Sequence, residues 1–186
     1  MLVLASASPR RREILARFID RFEVIPSRAS EECNLEDPTE YALELARRKA
    51  WEVYERVGGT VIGADTVVSI DGRILGKPRS EEEAYEMLKT LSGGVHMVIT
   101  GYCIVHEGKE ISGAVVTEVK FRELDDELIW AYVRTGEPMD KAGAYGIQGK
   151  AGLFVEWIRG DYYNVVGFPL EIVWRLRELG FDVLSR

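Results

Sequence analysis

The first twelve residues pose a strict local problem. Leu2-Val3-Leu4-Ala5 is an apolar run of strand type that ends on Ser6-Ala7-Ser8-Pro9. Proline fixes φ and lacks an N–H, so Pro9 suits the first turn of a helix, with Ser8 as its N-cap. Arg10, Arg11 and Arg12 then open that helix. A helix start is the positive end of the dipole and ordinarily takes acids. Three guanidinium groups are unfavourable there unless an anion sits in front of them. Serine hydroxyls, free backbone N–H groups and guanidinium forks together make a phosphate site. The bland alternative is a solvated basic turn.

Strand and helix signals alternate along the rest of the chain. Residues 22–26 read as a second strand, followed by an acidic loop through Glu31, Glu32 and Glu36. Asp37, Pro38 and Glu40 start a helix that runs to about Val57. Residues 60–64 form a buried-type strand leading into Asp65, and Asp71-Gly72 marks a hairpin turn. Ser80 and Glu83 cap another helix. Two long strands follow, about 95–105 and 111–121, then a helix capped by Asp125. Residues 136–152 read as an ordered glycine-rich loop. Residues 153–159 and 162–166 read as a hairpin around Gly160-Asp161, and Pro169 begins the last helix. The order predicts an α/β fold, a mixed central β-sheet flanked by helices.

The 186 residues suit a single domain, 1–186, that buries its core without staples. There are 31 acidic against 24 basic residues, a net charge of −7. That balance argues against nucleic acid and against an anionic membrane surface as partners. An anionic substrate needs a local basic pocket set against it. Cys33 and Cys103 belong to no CxxC pattern and read as free thiols in a reducing compartment. No signal-peptide pattern and no bilayer-length apolar run is visible, so the expected location is cytoplasmic.

Several residues carry chemistry. Asp65, in Gly63-Ala64-Asp65-Thr66, follows a strand, where open α/β sheets place ligands. Its carboxylate suits a hard divalent cation or a proton from water. A turn aspartate bonding its own backbone is the rival reading. Lys77, beside Pro78 in a rigid turn, offers a fixed countercharge, or is a surface lysine. Glu31 and Glu32 can hold Mg²⁺ or Mn²⁺ through oxygen, or are solvated. Lys49, on a helix, reads singly as surface. The glycines of residues 140–149 imply a backbone closely approached, and Gln148 there can read a base edge. His96 and His106 read as structural. There is no P-loop, no GxGxxG and no Ser/His/Asp pattern.

Taken together these segments resemble one family. They are Leu4-Ala5-Ser6-Ala7-Ser8-Pro9-Arg10-Arg11, Gly63-Ala64-Asp65-Thr66, Gly76-Lys77-Pro78, Leu91-Ser92-Gly93, the run from Glu137 to Gly149, and the run from Gly160 to Pro169. In this order, over nearly the whole chain, they look like the Maf family of nucleotide pyrophosphatases. The resemblance implies a nucleoside triphosphate substrate cleaved to monophosphate and pyrophosphate. It also implies a divalent metal cation (Mg or Mn), a cytoplasmic homodimer, and a fold like that of the inosine triphosphate pyrophosphatases. It assigns Asp65 as proton acceptor, and Arg10, Thr66 and Gln148 to substrate specificity. Ser6, Arg11, Lys49 and Lys77 match the phosphate-binding positions. Asp65 and a loop glutamate are the metal candidates. An ungapped count from Phe22 puts that glutamate at Glu31, a one-residue gap at Glu32.

The Ala144-Tyr145-Gly146-Ile147-Gln148 form resembles the subgroup acting on dTTP and UTP. The family is also linked to arrested cell division, which these residues do not derive. Two rivals remain: a pyrophosphatase that clears non-standard nucleotides from the pool, and a nucleotide sensor without turnover.

Overall fold

Strand β1 (Leu2–Leu4) runs parallel to both its neighbours, β2 (Glu23–Val24) and β3 (Thr60–Ile70). β3 turns through Asp71 and Gly72 into β4 (Arg73–Leu75). Both turn residues have positive φ, 50° and 76°, which is what a tight hairpin requires. Beyond β3 the pairing is antiparallel, through β5 (Val95–His106), β6 (Lys109–Phe121) and β7 (Val155–Arg159). The sheet order is β2-β1-β3-β5-β6-β7, with β4 added on β3. This computed structural model describes residues 1–185.

Alternation along each strand sends side chains to two layers. Val3, Val61, Cys103 and Val105 pack under helix α2 (Pro38–Val57). Leu2, Leu4, Ile62 and Ile104 point the other way. There they meet α1 (Pro9–Ala16) and α6 (Glu171–Glu178). Farther along the sheet, Val68, Ile70, Val98, Val119 and Phe121 pack against α3 (Glu81–Leu91) and α4 (Asp126–Val133). The sheet is therefore covered on one face by two separate groups of helices.

Helix α2 lies unusually close to the sheet. A Cβ on Gly63 would stand 2.3 Å from the carbonyl oxygen of Ala46, and one on Gly101 2.5 Å from the Ala42 carbonyl carbon. Only glycine fits at these crossing points. The close seat carries Lys49 down to the level of Asp65.

The structure corrects the sequence reading in three places. Residues 60–70 form one strand, so Asp65 sits within β3, paired to Gly101, and not at a strand end. Residues 162–166 form helix α5 (Tyr162–Val166), not the second arm of a hairpin. Asp161 caps that helix by accepting from Tyr163 N–H at 2.8 Å. Asn164 is fully buried beneath it and donates to the Val98 and Val115 carbonyls of the sheet. Residues 136–152 are a chain of short 3-10 turns rather than a plain loop.

Candidate active site

The edge of β3 is paired in two pieces. β1 covers Thr60, Val61 and Ile62, and β4 covers Val68, Ser69 and Ile70. After β1 the chain leaves the sheet at Ser6, so the stretch between these pieces stays open. Along β3 only Asp65 and Thr66 fall short of full burial. A cleft of about 1030 Å³ opens here. Its lining includes every site residue expected from the sequence: Ser6, Arg10, Arg11, Glu31, Lys49, Asp65, Thr66, Lys77 and Gln148.

Ser8 caps α1 by accepting from Arg11 N–H at 3.3 Å. Of the three consecutive arginines, Arg11 turns inward. Its Nε donates to the Gly167 carbonyl at 2.9 Å, one terminal nitrogen to Thr66 Oγ1 at 3.0 Å and the other to Ser6 Oγ at 3.4 Å. A guanidinium has five N–H groups, so two are left over for a ligand. Burial lowers the Arg11 pKa, and the nearby Asp65 carboxylate opposes that effect. Thr66 also bonds Thr100 Oγ1 at 2.8 Å, which ties its hydroxyl to the arginine's side of the cleft. Arg10 lines the cleft half-buried, while Arg12 is exposed and absent from the lining.

Asp65 projects toward α2. Its Oδ1 accepts from Lys49 Nζ at 3.0 Å, and the same ammonium lies 3.0 Å from Glu31 Oε1. The Lys49 and Asp65 side chains are only 14% and 13% exposed, whereas Glu31 is 66% exposed. The Lys49–Asp65 pair is thus built into the wall, and Glu31 reaches it from a solvated loop. The charge of Lys49, then its hydrogen bond, hold the Glu31 carboxyl below its ordinary pKa. Of the two loop glutamates, Glu31 enters the cleft and Glu32 does not. The Glu32 backbone carbonyl instead accepts from Arg48.

Two carboxylates converging on one cation position form a hard-oxygen donor set. Mg²⁺ and Mn²⁺ accept such a pair, with substrate phosphates and water completing the shell. Glu31 and Asp65 therefore fit a divalent cation. No cluster of three or more His, Cys, Asp or Glu exists among the described residues. A metal held by these two carboxylates would need further oxygens from substrate or water.

The opposite wall is made of turns. Gly143, at φ 69°, lies against Val68 and donates to the Gly76 carbonyl at 3.1 Å. Gln148 stands exposed beyond it at the cleft's rim. Sequence reasoning missed the supports. Thr100 and the Gly167 carbonyl hold Arg11's side, and Glu137 and Lys141 line the cleft beside Gln148. The run from Gly160 to Pro169 was visible as a motif. Its task, delivering a carbonyl to an arginine 156 positions away, was not.

A mixed-sheet α/β domain with a cleft of guanidinium, ammonium and carboxylate groups is the class of protein defined so far. The chain belongs to the Maf family, matching its Maf-like protein description over residues 1–178. It is 83% identical over 184 residues to a dTTP/UTP pyrophosphatase of Thermococcus onnurineus, covering 99% of this chain and 100% of that protein. It is 79% identical over 188 residues to one of Thermococcus kodakarensis, covering 100% of both. Among solved structures, a HAM1 protein from Coxiella burnetii aligns with a TM-score of 0.52 over 95% of this chain and 98% of its own. At 15% identity that likeness is one of fold.

Proposed function

We propose that this chain hydrolyses dTTP and UTP to the nucleoside monophosphate and pyrophosphate. The observation that carries the reading is the pairing of Asp65 and Arg11 from opposite faces of β3 at its one open stretch. The name borne by its close relatives supplies the substrate class.

In this reading the triphosphate lies along the start of α1. The two free N–H groups of Arg11, the Ser6 hydroxyl and the Lys77 ammonium meet its oxygens. Lys49 fixes Asp65 through Oδ1, and the other carboxylate oxygen takes a proton from water attacking the α-phosphorus. The bond from that phosphorus to the bridging oxygen breaks, and pyrophosphate leaves with its charge held by the basic groups. Charge developing on the leaving group is where such a site gains most of its rate. A divalent cation on Glu31 and Asp65 would supply Lewis-acid polarisation of the phosphate. Gln148 reads the pyrimidine, with Arg10 and Thr66 bordering it.

The same reading includes a homodimer in the cytoplasm. Val95, Met97, Val116 and Trp157 stand exposed on one face of β5, β6 and β7, which supports pairing. Cys33 and Cys103 are free thiols, which suits a reducing compartment. No helix of the described residues is long and apolar enough to cross a membrane.

The test is a panel of dTTP, UTP, dCTP, 7-methyl-GTP and inosine triphosphate at equal concentration, with Mg²⁺ or Mn²⁺. We expect dTTP and UTP to turn over fastest, with one pyrophosphate per monophosphate. Asp65→Asn should lower kcat by about 10²- to 10⁴-fold. Release of orthophosphate, or near-wild-type turnover by Asp65→Asn, overturns the reading.

A further inference from the structure

The turn that presents Gln148 is bracketed by two glycines, and each is covered by a different side chain. Gly149 N–H closes the turn on the Gly146 carbonyl at 3.0 Å. A Cβ on Gly146 would fall 2.6 Å from Lys141 Cε. A Cβ on Gly149 would fall 2.3 Å from Glu137 Oε1. The Lys141 stem therefore lies over one end of the turn and the Glu137 carboxylate over the other.

Both side chains are fixed in place. Lys141 Nζ donates to the Glu137 carbonyl at 2.8 Å and to Asp140 Oδ1 at 2.9 Å. Glu137 Oε1 accepts from Lys150 N–H at 3.2 Å, just past the turn. Its Oε2 is buried with no hydrogen-bond partner. An unpartnered buried carboxylate oxygen is costly, so something must hold it there. The carboxylate lies close against Gly149 and beside the Tyr132 hydroxyl. Gly146 N–H is in turn held by Tyr132 Oη at 3.4 Å. Burial first, then the Glu137 carboxylate, push the Tyr132 phenol up.

We propose that Glu137 and Lys141 are positioning residues that set the choice of base by clamping the turn of residues 146–149 under Gln148. The proposal rests on the reading of Gln148 as the group that meets the pyrimidine. Thymine and uracil offer an N3–H donor and an O4 acceptor, and cytosine reverses both. An exposed amide separates these patterns only while its backbone is held at one depth and angle. Neither clamp residue touches the base. Each acts through the position of Gln148.

The experiment has two arms. In the first, the dTTP-to-dCTP ratio of kcat/KM is measured for wild type, Glu137→Ala, Glu137→Gln, Gln148→Ala and the Glu137→Ala/Gln148→Ala pair. Glu137→Ala should narrow the ratio by about 10- to 100-fold, the scale of a roughly 1 Å misplacement. Glu137→Gln keeps the shape and an acceptor for Lys150, and should retain most of the ratio. The double variant should discriminate no worse than Gln148→Ala alone, because the clamp works through that side chain. In the second arm, hydrogen exchange is followed at the Gly149 and Lys150 amides. Glu137→Ala should speed both while the β3 and β5 amides stay protected.

An unchanged ratio, additive losses in the double variant, or unchanged exchange at Lys150 each overturn the clamp. Failure of the wild type to hydrolyse dTTP or UTP would instead strike the proposed activity, and the exchange arm would still judge the clamp.

Discussion

The two walls of the cleft are built on different principles. The wall carrying Asp65, Lys49 and Arg11 stands on β3, α2 and α1, whose supports are buried and whose backbones are paired. Each functional group there is also gripped by a group distant in sequence, as Arg11 is by the Gly167 carbonyl. The wall carrying Gln148 contains no strand and no α-helix across residues 136–149. It is a run of 3-10 turns held by glycine contacts and two side chains. In the proposed reading, proton transfer and charge neutralisation tolerate little drift, and the groups assigned to them sit on the sheet side. In the same reading, Gln148 must be held at one depth to select a base, and a clamped turn would do that. Damage at Asp65, Lys49 or Arg11 should therefore slow every nucleotide alike, and damage to the turn-built wall should change which nucleotide is chosen.

The sharpest break in the comparison is Arg11→Lys. It keeps one charge but cannot reach Gly167, Ser6 and Thr66 together. Losing two charge-assisted hydrogen bonds at about 1.5–3 kcal/mol each predicts a fall in kcat/KM of about 10²- to 10⁴-fold. The fall should be equal for dTTP, UTP and dCTP. A loss confined to one base would place Arg11 with Gln148 and erase the division between the walls.

Next in size is Gly101→Ala, set against Gly76→Ala. The first pushes a methyl into the Ala42 backbone of α2, and the second meets nothing within 4 Å. Overpacking of this kind costs about 1–3 kcal/mol. Thermal melting should fall by roughly 2–12 °C for Gly101→Ala. It should hold for Gly76→Ala, on the turn-built side. Equal melting temperatures would mean that α2 is free to lift, and that the seat of Lys49 is softer than its geometry implies.

What the sequence disclosed divides along the same line. Local rules place the start of α2 from Asp37 and Pro38, the hairpin at Asp71-Gly72, and the capped start of α1. All nine expected site residues line one cleft, because the family resemblance named positions that the topology brings together. The sequence ends the strand before Asp65 because Asp65-Thr66, a polar pair amid apolar residues, mimics a strand end, whereas β3 runs on to Ile70. The choice between Glu31 and Glu32 needed coordinates, since a loop has no period to assign facing. The run from 162 to 166 is apolar at both ends and reads equally as strand. The Asp161 cap and the buried Asn164, reaching across to two sheet carbonyls, favour helix. Glu137 and Lys141 were in view as letters of a motif, but their contacts with Gly149 and Gly146 are tertiary facts.

The smallest expected effect near neutral pH comes from His96, which lies behind the turn-built wall. Its ring is 1% exposed, bonds Tyr145 Oη at 2.6 Å and packs edge-on against Phe121 and Tyr145. Nδ1 is buried without a partner, and burial pulls the pKa from 6.5 down to about 4. Between those two values the unfolded chain holds a proton that the folded chain refuses. Stability is thus complete above pH 6.5 and is lost as pH falls toward 4. The cost is about 1 kcal/mol at pH 6 and approaches about 3 kcal/mol at pH 4. Denaturant unfolding from pH 7 down to pH 4 should show this slope, and His96→Gln should flatten it. Because Tyr145 directly precedes Gly146 in the clamped turn, acid should relax base selection before it slows turnover of dTTP. A wild-type slope retained in His96→Gln would move the acid sensitivity elsewhere. Loss of rate before loss of selectivity would show that the turn-built wall is not the first to yield.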